Sequence, residues 1–221
     1  MLKKIVSNLL ILFEGIIRNI SGTLGLKIRY FYYSLRLKSL GKDSAISLGV
    51  VFINPEKISI GQNTKIDEYC MVIAGDAELK DNKEEKYLKN EKFKGGRGDV
   101  IIKDNVHIAP FCIINGFGSG VEINNDVTLA ASSKVYSCTN YLKSFSTDKD
   151  SSMSPRSKTR IIPYLKKEVV IEENSFVSIN SIVLCCTLGK NSVLKPNSFL
   201  NNDFGENLIL SGNPAEVEKK R

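Results

Sequence analysis

The sequence predicts an all-β solenoid, a three-sided parallel β-helix of six-residue repeats, preceded by a helical appendage. Three observations carry this. Aliphatic residues recur every six positions: Ile60, Ile66 and Val72; Ile102, Ile108 and Ile114; Ile123, Leu129 and Val135. The pattern resumes at Ile171, Val177 and Val183, shifts by one residue to Leu188, and continues at Leu194 and Leu200. The residue two places before such a head is small or slim: Thr64, Cys70, Val106, Cys112, Val127, Ser133, Ser175, Ser181, Ser192 and Ser198. Asn, Asp and Gly gather at the intervening turns, as in Gly61-Gln62-Asn63, Lys103-Asp104-Asn105, Asn124-Asn125-Asp126 and Gly189-Lys190-Asn191, where left-handed backbone is cheap. A sustained period of this kind decides the architecture. The heads are expected to fill the interior and the small residues to occupy the corners.

Residues 1–41 form the appendage. Leu2, Val6, Leu9, Phe13, Ile16 and Ile20 recur at helical spacing. Ser7, Asn8, Glu14 and Arg18 interrupt the run from Ile5 to Ile20, which is shorter than the roughly 20 apolar residues a spanning helix needs. Glu14 also argues against a signal peptide, despite Lys3 and Lys4. Leu26 to Leu40 mixes Tyr30, Phe31, Tyr32 and Tyr33 with Lys27, Arg29, Arg36 and Lys38. Such a basic amphipathic segment suits peripheral contact with an anionic membrane, or a cap packed on the main domain or a partner subunit. Both stay open here.

Residues 42–221 form the solenoid domain, with long loops at 76–99 and 141–167. The first is highly charged, and the second is rich in Ser, Lys and Asp. Long loops in a compact domain are commonly functional. Gly116-Phe117-Gly118-Ser119-Gly120 is a shorter, flexible break.

The repeat from about Ala45 onward, with its ending Ser211-Gly212-Asn213-Pro214-Ala215, resembles the hexapeptide-repeat acyltransferases. The Gly-Asn-Pro-Ala close is similar to that of bacterial sugar and polysaccharide acetyltransferases. The resemblance implies a left-handed β-helix and acetyl-CoA (coenzyme A) as co-substrate. It implies a sugar or polysaccharide acceptor and a homotrimer with active sites between subunits. The expected reaction is acetyl transfer to a sugar hydroxyl in surface polysaccharide or lipopolysaccharide biosynthesis. N-acetylation of an amino sugar on a nucleotide, and a non-catalytic scaffold or binding protein, remain as alternatives. Phe111, Ile113 and Ile182 face outward in the repeat phase, and an apolar outer face favours association.

The chain has 221 residues and a formal net charge of +7. It carries no nucleic-acid motif and its positive charge looks dispersed, so nucleic acid is not an expected partner. A basic surface suits an anionic cofactor, a nucleotide-linked sugar or lipid phosphate. The five cysteines are odd in number and form no CxxC pair. A reduced cytoplasmic location, or the inner face of the membrane, is expected. Cys185-Cys186 reads as a turn substitution at the one-residue shift.

Histidine occurs once, at His107. A multi-histidine metal site within one chain is thereby excluded, and no metal is expected. Acyl transfer to a hydroxyl or amine needs a base, and His107 alone has an ordinary pKa near neutrality. Alternation with Val106 and Ile108 turns it outward. Asp104 and Asp126 are candidates to orient it, although Asp at a turn also serves the turn itself. Many sugar acetyltransferases keep their base just after a segment like Val135-Tyr136-Ser137, where this chain has Cys138-Thr139-Asn140-Tyr141. Cys138 has no second histidine to activate it and is not expected to be a nucleophile. Asn140 and Tyr141 are candidates to bind the acceptor sugar through amide and phenol hydrogen bonds, or form an ordinary turn after the coil, and the break holding Phe117 is a candidate lining of the same pocket. The resemblance places coenzyme A at Asn180, Ser181, Lys195, Ser198, Gly212, Asn213, Pro214 and Lys219.

Overall fold

In the computed structural model, which describes residues 12–76, 86–140 and 164–221, the six-residue steps become short parallel strands. They stack into three sheets, the faces of a prism. The first face runs from Ser39–Leu40 to Thr187–Leu188, and the second from Ala45–Ile46 to Val193–Leu194. The third runs from Val51–Ile53 to Phe199–Leu200. Register keeps equivalent heads superposed. On the second face Ile46, Ile66, Ile108, Leu129, Val177, Leu194 and Leu210 pair in sequence. Every head from Ile60 to Leu200 is at most 2% exposed. Burying each such side chain contributes roughly 1.5–3 kcal/mol, which makes the column the main stabilising element.

The ten corner residues are all buried, as expected. Small size is only part of the reason. Ser175 donates to the Gly189 carbonyl at 2.8 Å and Ser181 to the Lys195 carbonyl at 2.8 Å. Each hydroxyl also accepts an amide of the next coil, from Ser192 and Ser198. Thr64 behaves likewise, donating to the Lys103 carbonyl at 2.7 Å and accepting from the Val106 amide. The corner hydroxyl thus satisfies backbone groups that the tight turn would otherwise leave buried and unpaired.

The turn residues adopt left-handed backbone, with φ of 51° at Asn63, 58° at Asn105, 60° at Asp126 and 56° at Asn191. Their side chains form ladders. Asn63 donates to Asn105 at 2.9 Å, and Asn105 to Asp126 at 3.0 Å. Cys185, with φ of 52°, fills the predicted turn at the phase shift.

Three expectations about boundaries change. The solenoid begins inside the expected appendage, because Ser39 and Leu40 already pair with Ser59 and Ile60. The appendage is a plug and not a separate body. Residues 12–18 are helical, a helix spans Gly22–Ser34, and Tyr33 and Leu37 join the solenoid core. The Tyr33 and Phe52 rings meet at 4.8 Å, and Arg29 donates to the Ile46 carbonyl at 2.8 Å. The expected loops also contain strands. Tyr164–Lys167 pairs antiparallel with Cys138–Asn140 and parallel with Lys86–Leu88. Buried Glu168 and Glu122 accept the Asn90 and Lys94 amides and hold residues 86–98 against the first face. Leu2, Val6 and Leu9 of the helical pattern lie outside the described residues.

At the far end the parallel stack closes with an antiparallel hairpin, Leu208–Gly212 and Ala215–Lys220. It covers part of an edge that would otherwise stay open for pairing. Asn213 and Pro214 form its turn, joined by a cis peptide bond.

Candidate active site

His107 opens the strand His107–Ile108 on the second face, where alternation buries Ile108 and turns the imidazole outward. Its side chain is 47% exposed. The Nε2 atom lies 2.8 Å from Oδ2 of Asp67, one coil below. The other carboxylate oxygen, Oδ1, sits 2.8 Å from the Lys65 ammonium. Lys65 and His107 are register partners, so adjacent strands place both side chains over one carboxylate. Asp67 is buried. Burial opposes its charge, but hydrogen bonds from Lys65 and His107 outweigh this and hold its pKa below the ordinary aspartate value. The same carboxylate raises the pKa of Lys65, chiefly through their hydrogen bond.

A carboxylate is an acceptor only. Asp67 therefore accepts a hydrogen bond from Nε2–H and leaves the Nδ1 lone pair as the basic site. Asp104 and Asp126 do not orient His107. Asp104 accepts from the Gln62 amide and Asp126 from the Asn105 side chain. Both are turn residues. Asp67 escaped notice because it lies 40 residues from His107 in sequence, across the charged segment. The available signal was the equivalence of the heads Ile66 and Ile108, which puts the residue after one head beside the residue before the other.

Tyr69 and Phe111 were also missed as a pair. They occupy successive coils at the next corner, with left-handed φ of 58° and 63°. Their rings stack at 5.7 Å with 6° between planes, and both are exposed. Bulky residues pay a strain of roughly 1–2 kcal/mol in this conformation. Gly49 lies beneath them, where a Cβ would fall 2.4 Å from the Tyr69 ring.

The residues expected to hold the acceptor lie elsewhere in the chain. Phe117 is half-buried at the corner where the third face returns to the first. Its amide bonds the Asn115 side chain at 3.0 Å. Asn140 ends the side strand Cys138–Asn140, and Tyr141 lies outside the described residues. Within one chain this corner and the second-face His107 are not brought together. Burial pushes the Cys138 thiol up to about 11, which keeps it protonated at neutral pH.

Of the residues expected to hold a cofactor, three converge. Ser181, Ser198 and Gly212 stack at one corner of the last coils, linked by hydrogen bonds from the Ser198 and Gly212 amides. Asn180 bonds Asn197 at 2.9 Å on the outside of this corner. Lys195 lies in the adjoining segment and pairs with Glu218 at 2.7 Å. Lys219 pairs in register with Ile209, toward the open end of the hairpin and away from the Asn213-Pro214 turn. His107 is joined to this end by one ladder through Thr128, Phe176, Val193 and Ile209. Four strand spacings make that path about 19 Å. Beside it run the short side chains of Ala109, Ala130 and Ser178, then Lys195. Among the described residues no group of three or more His, Cys, Asp or Glu side chains is arranged to hold a metal.

Solved structures share this architecture. A variant of AntD, an N-acyltransferase from Bacillus cereus in complex with dTDP-4-amino-4,6-dideoxyglucose and coenzyme A, superposes with a TM-score of 0.69. It is 20% identical and covers 87% of this chain and 88% of its own. A hexapeptide-repeat acetyltransferase from Vibrio cholerae O1 biovar eltor, complexed with acetyl coenzyme A, has a TM-score of 0.54. It is 17% identical and covers 93% of this chain and 84% of its own. The fold is that of the hexapeptide-repeat acyltransferases. The expected left-handed β-helix is borne out.

Two curated sugar acyltransferases match part of the chain. The dTDP-4-amino-4,6-dideoxy-D-glucose acyltransferase of Escherichia coli is 29% identical over 104 residues, 47% of this chain and 43% of that protein. The galactoside O-acetyltransferase of Lactococcus lactis subsp. lactis (strain IL1403) is 31% identical over 108 residues, 47% of this chain and 52% of that protein. The matches thus span about half the length of these relatives. No family model matches the chain.

Proposed function

We propose that this protein transfers an acetyl group from acetyl-CoA to a sugar hydroxyl, with His107 as the general base. The observation that carries it is the exposed imidazole held at 2.8 Å by a buried carboxylate. The sugar acyltransferases matched in sequence and the coenzyme-A-bound neighbours support it. Nδ1 of His107 takes the hydroxyl proton as the sugar oxygen attacks the thioester carbonyl. The C–S bond then breaks, and the coenzyme A thiolate leaves and takes up the proton. Asp67 holds the tautomer and stabilises the imidazolium between these steps. Coenzyme A lies along the second face, its thioester near His107 and its nucleotide end toward Ser181, Ser198, Gly212 and Lys219. The protein works as a homotrimer, and Phe117, Asn140 and Tyr141 of a neighbouring subunit complete the acceptor pocket. The acceptor belongs to surface polysaccharide or lipopolysaccharide synthesis on the cytoplasmic side.

The test is thiol release from acetyl-CoA with a panel of sugars and nucleotide sugars, the product weighed by mass spectrometry. His107→Ala is expected to lower kcat by about 100-fold or more with coenzyme A affinity retained. Undiminished turnover would remove His107 as the base. A second reading, N-acylation of an amino sugar on a nucleotide, is favoured by the Escherichia coli relative and AntD. Hydroxylamine separates the two, because it cleaves an ester product and leaves an amide intact.

A further inference from the structure

The net charge of this chain is concentrated at one end, not dispersed. Residues 1–41 contain seven Lys or Arg and a single acid, Glu14, so six of the seven net charges lie there. The following 180 residues are nearly balanced, with 24 basic and 23 acidic side chains. Glu14 faces inward and is 9% exposed. Its carboxylate accepts hydrogen bonds from Tyr32 at 3.2 Å, Tyr33 at 3.3 Å and Arg18 at 3.4 Å, with Arg36 at 3.9 Å. The one negative charge of the cap is neutralised internally, where it ties residues 12–18 to the Gly22–Ser34 helix.

Among the large side chains that face outward, most are apolar or basic. Leu24, Ile28, Phe31 and Leu35 follow helical spacing along one narrow arc. Leu24 is 65% exposed, Phe31 68% and Leu35 72%. Leu12, Phe13 and Ile16 form a second outward row, each more than half exposed. Phe13 meets Tyr32 edge-on at 6.2 Å, which joins the two rows. Lys27 stands exposed beside the first row. With Lys42 and Asp43 it lines a cavity of about 430 Å³ between the helix and the first coil. No helix among the described residues is long and apolar enough to cross a membrane.

We infer that this cap is a docking surface for an anionic lipid bilayer. The leucine and phenylalanine rows enter the headgroup boundary and the exposed Lys27 meets lipid phosphates, while Arg18 and Arg36 stay with Glu14 and Lys38 pairs with Asp99 at 2.9 Å. Lys3 and Lys4 add two charges to the same segment. Nucleic acid would answer the cations and leave the apolar rows in water. A second copy would bring two surfaces of the same strong charge together. Only an anionic, apolar-cored surface satisfies both features. His107 lies in the third coil from the capped end, so docking sets it about 10 Å beyond the first coil.

Flotation of the full chain with vesicles tests this. Binding is expected to vesicles containing phosphatidylglycerol, not to pure phosphatidylcholine, and to weaken as salt rises. Replacing Leu24→Ser, Phe31→Ser and Leu35→Ser together should lower binding by about tenfold or more. Lys27→Glu should lower it several-fold. The replaced side chains are exposed, so the circular dichroism and melting curve should stay those of the native chain. Failure of the native chain to float would overturn the proposal. So would equal binding to neutral vesicles, or undiminished binding by the triple variant. If the native chain does not float and the triple variant dissociates in sedimentation, the rows are a subunit contact and the proposal falls.

Discussion

Asp67→Asn tests the site most sharply, because the geometry dictates which way the new amide turns. In the native chain the two carboxylate oxygens serve two donors, Lys65 on Oδ1 and His107 on Oδ2, each at 2.8 Å. An amide has one oxygen and one NH2 group. Lys65 is an ammonium and can only donate, so the amide oxygen must face it. The NH2 group then faces His107 and forces Nε2 to accept. The imidazole proton moves to Nδ1, the atom that has to take the acceptor's proton. The base is switched off without losing its ring. A hydrogen bond to a charged group contributes about 1.5–3 kcal/mol, and general bases contribute about 10²–10⁴ in rate. We expect kcat to fall about 100-fold in the thiol-release assay, with little change in KM for acetyl-CoA. Adding Lys65→Met removes the donor that fixes the amide. The oxygen can then turn to His107, and part of the lost rate should return. Full activity in Asp67→Asn, or no recovery in the double variant, would refute this account.

Other consequences concern the scaffold. Ile108→Ala empties a fully buried head between Ile66 and Leu129, and should cost about 2–5 kcal/mol in urea denaturation. Asn105→Val places a β-branched residue at φ 58° and removes two ladder bonds, so it should destabilise by about 2 kcal/mol or more. Asn105→Gly loses the bonds without the strain and should cost less in the same assay. The Asp67 pKa is lowered in the folded chain, so its contribution is complete above the unfolded value of about 3.9 and is lost as pH falls through the lowered folded value. The stability difference between native and Asp67→Asn chains, measured by thermal melting, should therefore shrink as pH drops from about 5 toward 2.

Most of the solenoid was legible in the residues. Ile66 and Ile108 must be inward because a six-residue step gives each short strand one inward head, and no other phase buries them all. Asn63, Asn105 and Asp126 announced their turns because few other side chains tolerate left-handed backbone. Local chemistry decides such features within a handful of bonds. The hydroxyl role of Ser175 and Ser181 was half visible, since their small size was plain but the carbonyls they meet belong to another coil.

The site was legible as one residue and not as a cluster. His107 stood out by being unique and by its outward phase. Its partner Asp67 belongs to the coil below, and the chain between them passes through the charged segment, so nearness in sequence pointed wrongly to Asp104 and Asp126. The cap shows the same division. Sequence by itself determined that residues 1–41 are basic, apolar and helical in pattern. Only the tertiary structure decided that Glu14 turns inward and that Leu24, Phe31 and Leu35 stay outside. The physical reason is that periodicity specifies which face a residue takes, whereas coil stacking and helix docking specify what that face meets.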